Sequence, residues 1–143
     1  AHEGEYLFNK GYKNIFLIDC SPIAKENFIK RVPDFPEEQF IIGDFFEHQQ
    51  QYDVIIEQTF FCALHPSLRP KYGQKMDELI TDEGILVGLL FDDKLNEDHP
   101  PFGGNKEEYE RYFSPYFSDI SMSKCYYSIP KRDGRELFIL LNK

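Results

Sequence analysis

Four short apolar runs, each stopped by an acid or an amide, constrain this chain more than any other feature. They are "NIFLID" (residues 14–19), "QFII" (39–42, followed by Gly43 and Asp44), "YDVIIEQ" (52–58) and "ILVGLLFD" (85–92). Each is the length of a buried strand, and Ile, Val and Phe dominate their interiors. Helical patterns separate them. Residues 2–10 read as a helix with Gly11 as its stop. In "SPIAKENFIKRV", Ser21 can cap the helix and Pro22 fits its first turn, with Ile23, Phe28, Ile29 and Val32 facing a sheet. Residues 67–80 form a third helix before the turn "TDEG", and residues 106–117 a fourth. Strand and helix in alternation define an α/β fold with a mostly parallel sheet. Two last strands, residues 120–129 and 136–142, flank the turn "PKRDGR" and add a terminal antiparallel hairpin.

A chain of 143 residues suits one domain with a real core. With 14 Phe, 9 Tyr and no Trp, any pocket is built from Phe and Tyr rings. The net charge of -9 repels phosphate backbones, so nucleic acid is not an expected partner. No apolar run approaches a membrane span and no basic-apolar leader opens the chain, which reads as cytoplasmic. Cys20, Cys62 and Cys125 lack disulfide or zinc spacing and are expected to be buried free thiols; the four histidines are equally scattered, and no metal is expected. Because the first element is a helix, a strand and its glycine-rich turn are expected to precede Ala1.

In open α/β sheets, ligands bind beyond the carboxyl ends of the strands. Asp19, beside Cys20 and Ser21, closes the first run and can accept both hydroxyls of a ribose. Asp44, after Gly43, can accept from an exocyclic amine, while the Phe45 N–H donates to an adenine ring nitrogen and the Phe45 or Phe46 ring covers the base. Glu57 and Gln58 close the third run, toward the reactive end of such a ligand. Each also has a plain structural reading: Asp19 as part of a capping turn, "GDFFE" as a loop with buried rings. Taken together they point to an adenosine-containing ligand. The antiparallel ending favours a class I methyltransferase over a dinucleotide domain, whose strands continue in parallel.

"LIDCSPIAKENF", "IIGDFFE", "YDVIIEQTFFCALHPSLRPKY" and "PPFGG" resemble the thiopurine S-methyltransferase family, above all its thiol and halide methyltransferase branch. The resemblance covers essentially the whole chain. It implies a Rossmann-like class I fold, S-adenosyl-L-methionine as donor with S-adenosyl-L-homocysteine as product, and a small soft acceptor: a thiol, thiopurine, halide or thiocyanate. It assigns Asp19 to the ribose and Asp44 with Phe45 to the adenine. Gln58 falls where relatives carry Arg or Tyr, and Arg69 is the candidate for the missing positive charge, with a surface helix position as its alternative.

Methyl transfer from a sulfonium is an in-line displacement that depends on alignment more than on acid-base help. Aromatic walls that strip water from a soft anion suit it, and Phe60, Phe61, Phe91 and Phe102 are the candidates, core packing being the alternative for each. A second reading, an O- or N-directed methyltransferase, needs a base, for which His65 and Glu57 are available. A third is a non-catalytic binding module on the same fold. The long "DKLNEDHPPFGGN" loop is expected to close the substrate side.

Overall fold

Ser21 sets the first helix-strand junction. It lies in extended backbone, its hydroxyl accepts from the Ala24 N–H, and Pro22 follows in the first helical turn. The computed structural model describes all residues, 1–143, and they divide into two compact units, Ala1–His48 and Gln49–Lys143.

The first unit contains α1 (His2–Asn9), β1 (Leu17–Asp19), α2 (Pro22–Arg31) and β2 (Phe40–Ile42). β1 and β2 pair in parallel, with Leu17 opposite Phe40 and Asp19 opposite Ile42. Their core is a cluster of Phe8, Phe28, Val32, Phe35 and Phe40, in which the Phe35 ring meets Phe8 and Phe28 edge-on at 5.1 and 5.0 Å. Phe28 and Val32 of "SPIAKENFIKRV" are buried and Ile29 packs beside them, but Ile23 is 67% exposed, against expectation. Five positions before Phe28, it lies about 140° round the helix and off the buried stripe.

The second unit contains β3 (Tyr52–Gln58), α3 (Arg69–Leu79), β4 (Ile80–Phe91), α4 (Lys106–Phe113), β5 (Asp119–Lys124) and β6 (Glu136–Asn142). Its sheet has the order β3-β4-β6-β5. β3 and β4 are parallel, and β6 runs antiparallel to both β4 and β5. The final pair is therefore an insertion: β6 enters between β4 and β5. β3, β4 and β5 all run the same way, so Gln58, Phe91 and Lys124 mark the carboxyl edge. Leu86, Ile139 and Leu141 are fully buried in this sheet.

Several boundaries differ from the sequence expectation: β1 starts at Leu17 and not at residue 14, and α3 at Arg69 and not at residue 67. "TDEG" is not a separating turn, because β4 starts at Ile80 directly after α3 and takes up the extra residues as a register shift against β3 between Tyr52 and Val54. α4 stops at Phe113, and the chain turns before Phe117. β5 stops at Lys124, one rung before the Cys125 N–H donates to the Glu136 carbonyl, which leaves Tyr126 and Tyr127 exposed rather than in a strand. No helix is long and apolar enough to cross a membrane.

Candidate functional site

At the carboxyl ends of β1 and β2, a Gly43 N–H to Asp19 carbonyl hydrogen bond of 3.1 Å holds the two strand ends side by side. Asp19 is half-buried, and its Oδ1 accepts from the Ser21 N–H at 2.8 Å. Asp44 is exposed, and its Oδ1 accepts from the Phe46 N–H at 2.9 Å, capping a short 3-10 turn at Phe45–Glu47. In that turn the Phe45 and Phe46 rings meet edge-on at 5.2 Å. Space is open above Gly43, where an added Cβ would meet nothing within 4 Å. Cys20 is exposed, not a buried thiol: it sits on the connection between β1 and the Ser21 cap, outside the aromatic cluster. Each aspartate thus ties only one oxygen to a local N–H, and a second oxygen remains for an outside donor. That arrangement fits a ribose hydroxyl pair and an exocyclic amine.

Past β3 the chemistry differs. Glu57 is 3% exposed and its carboxylate is engaged within the fold: Oε1 accepts from the Phe60 and Phe61 N–H groups at 3.0 and 2.9 Å, and Oε2 accepts from the Tyr72 hydroxyl at 2.7 Å. Burial raises its pKa above the ordinary carboxylate value, with those hydrogen bonds opposing the rise, and burial beside Glu57 lifts the Tyr72 phenol well above its own. The backbone approaches closely here: a Cβ on Gly88, opposite Glu57 in β4, would collide with the Glu57 carbonyl. Thr59, next but one, has a positive φ of 67°, an uncommon conformation for a β-branched residue. Its hydroxyl donates to the Gln58 carbonyl at 2.6 Å, and its own carbonyl accepts from Cys62 Sγ. Glu57 thereby anchors the turn that carries the chain off the strand. A base role for it finds no support in this geometry. His65 is exposed, with Nδ1 turned to Ser67 at 2.8 Å from the hydroxyl, capping the 3-10 turn Pro66–Leu68.

The aromatic candidates separate. Phe61 is buried, edge-on to Tyr72 and Tyr109 at 5.0 and 5.3 Å, and serves the core. Phe60 is partly exposed at the same turn, and Phe91 ends β4 under the Arg132 guanidinium. Phe102 is buried, its ring edge-on to His65 at 5.6 Å and its N–H donating to the Cys62 carbonyl at 2.7 Å. A cleft of about 700 Å³ opens beside it, lined by Arg69, Phe102, Gly103, Gly104 and the acids Asp92, Asp93, Glu97 and Glu108. Phe60, Phe61 and Phe91 do not line it. Arg69, for which a surface position was the alternative, is 1% exposed and pairs with Glu108 at 2.8 Å. Sequence reading missed Tyr72, Gly88, Thr59 and Glu108. "RPKY" did place Tyr72 one helical turn from Arg69, but nothing in the spacing aims it at Glu57.

The parallel β1-β2 pair and the order β3-β4-β6-β5, with β6 inserted antiparallel, fit a Rossmann-like fold. Solved structures agree on that fold: a TehB-like SAM-dependent methyltransferase from Corynebacterium glutamicum (TM-score 0.69, 16% identity, 98% of this chain and 73% of that one). So does Burkholderia thailandensis 1,6-didemethyltoxoflavin-N1-methyltransferase, solved with S-adenosylhomocysteine bound (TM-score 0.68, 14% identity, 97% and 64%). The profile of the thiopurine S-methyltransferase (TPMT) family matches residues 12–136, and the chain belongs to that family. Among curated relatives, it is 31% identical over 130 residues to "Probable thiol methyltransferase 2" of Arabidopsis thaliana, covering 87% of this chain and 58% of that protein. It is 29% identical over 125 residues to thiocyanate methyltransferase 1 of Brassica oleracea, covering 83% and 55%. The chain thus spans little more than half the length of these relatives.

Proposed function

We propose that this chain is part of an S-adenosyl-L-methionine-dependent methyltransferase that methylates a small soft nucleophile such as a thiol, thiopurine, halide or thiocyanate. The observation that carries the donor assignment is the pair of incompletely engaged aspartates at neighbouring carboxyl ends of β1 and β2. Asp19, with Cys20 and Ser21, would hold the ribose. Asp44, with Gly43 and Phe45, would hold the adenine. When bound, the donor supplies a methyl group activated on a sulfonium. The soft acceptor follows from family membership together with the engagement of Glu57, whose carboxylate is spent on the turn. A thiol or halide needs no strong base, since an ordinary thiol with pKa ~8.5 already holds some thiolate at neutral pH. We further propose one methyltransferase domain over residues 1–143, a cytoplasmic setting, and small molecules rather than nucleic acid as partners, in keeping with the net charge of -9.

The test is to incubate the full-length protein with methyl-labelled donor and a panel of thiophenol, thiopurine, iodide and thiocyanate. Label transfer to at least one of them is expected. Donor binding with transfer to none of the panel would contradict the acceptor class, and absence of donor binding would contradict the cofactor.

A further inference from the structure

Arg69 is the largest fully buried side chain in the protein, and packing alone does not call for a cation there. A buried guanidinium is costly to desolvate, and an apolar residue of similar volume often serves stability as well or better. This one even leaves its Nε without an acceptor. Its other nitrogens are committed. Nη1 donates to Glu108 Oε1 of α4 at 2.8 Å, and Nη2 donates to the Gly103 carbonyl at 2.9 Å, with the Phe102 carbonyl at 3.5 Å. The guanidinium lies 4.8 Å from the centre of the Phe61 ring and 5.8 Å from that of Tyr109.

The groups it joins belong to three separate stretches: the turn after β3, the "PPFGG" loop and α4. Each contact has a second tie. The Phe102 N–H donates to the Cys62 carbonyl, the Gly104 N–H to the Asp93 carbonyl at 3.1 Å, and the Tyr112 hydroxyl to Glu108 Oε1 at 3.1 Å. The Tyr109 hydroxyl donates to the Phe91 carbonyl at 2.6 Å, at the end of β4. Arg69 therefore stands where the loop, the cleft wall and the strand-end turn are fixed relative to one another.

We propose that Arg69 is a positioning residue for the acceptor side, holding the loop backbone at Phe102 and Gly103 against the "FFCAL" turn instead of meeting the acceptor's charge itself. This rests on the reading of the protein as a soft-nucleophile methyltransferase. An in-line displacement is sensitive to small misplacements, so loosening this grip weakens acceptor use while leaving the donor aspartates untouched. A planar fork reaches a carboxylate and a carbonyl at once, which a lysine ammonium does with much poorer geometry.

The test uses the full-length protein with Arg69→Lys, and with Glu108→Ala as a milder variant on a partly exposed partner. For Arg69→Lys, kcat/KM toward thiophenol and iodide is expected to fall about tenfold, with donor KM within about twofold of wild type. Amide exchange at Phe102, Gly103 and Gly104 is expected to quicken about tenfold while β4 and β6 amides keep their protection. Glu108→Ala should give about a threefold change at the same amides, and this decides the matter if Arg69→Lys does not fold. Unchanged loop exchange in a folded variant, or exchange accelerated equally across β4 and β6, would overturn the proposal. So would a loss confined to donor KM. If wild type transfers methyl to none of the panel, the functional reading fails, yet the exchange experiment still judges the grip.

Discussion

The strand-end carboxylates of the two units look alike in sequence and behave oppositely in structure. In Ala1–His48, Asp19 and Asp44 each tie one oxygen to a nearby backbone N–H. In Gln49–Lys143, Glu57 is buried and spends both oxygens on Phe60, Phe61 and Tyr72. The lesson concerns inventory: a carboxylate can hold a ligand only with the hydrogen-bonding capacity that the fold leaves over. Position at a carboxyl edge is necessary for a ligand role and says nothing about that remainder.

The sharpest way to break this contrast is truncation. Glu57→Ala strands two buried donors and a part-buried one and is expected to cost about 3 to 5 kcal/mol in urea unfolding, whereas Asp19→Ala should cost less than about 1 kcal/mol. Equal losses would erase the distinction. Asp44→Ala, next in size, should weaken S-adenosylhomocysteine binding about tenfold by calorimetry with little change in unfolding midpoint. A large stability loss there would place Asp44 with Glu57.

Ionisation gives a smaller, signed effect. Burial holds the Glu57 pKa above its ordinary 4.5, so the folded state keeps the proton more tightly than the unfolded one. Its contribution to stability is complete below that ordinary value and is lost as pH rises through the raised folded value. Glu57→Gln does not ionise and escapes the loss. Urea unfolding at a series of pH values should therefore show the variant gaining on wild type from acid to neutral pH. A gain toward acid pH would have the wrong sign. Smallest of all, Thr59→Gly relieves the positive φ and should raise stability by about 0.5 to 1 kcal/mol in urea unfolding.

Much of the fold was legible because local chemistry agreed with it. The Ser21 cap, the Pro22 start, and "YDVIIEQ" and "ELFILLN" as strands all lie where the pattern placed them. The boundaries that failed depend on partners distant in sequence. β4 begins early because β3 accepts a register shift, and β5 ends early because β6 begins at Glu136. The local turns at Asp19 and Asp44 were legible for the same reason, since strand ends and caps are short-range features. Glu57 and Arg69 were not. Whether a charge faces solvent or is enclosed by Tyr72, Phe61 and Glu108 is decided by contacts 15 and 39 residues away.

Calorimetric titration of S-adenosylhomocysteine into the full-length wild type, Asp19→Asn and Glu57→Gln tests the central claim most directly. Asp19→Asn should lose about a hundredfold in affinity while keeping its unfolding midpoint, and Glu57→Gln should bind within about threefold of wild type. Wild type that does not bind, or a larger affinity loss in Glu57→Gln than in Asp19→Asn, would contradict it.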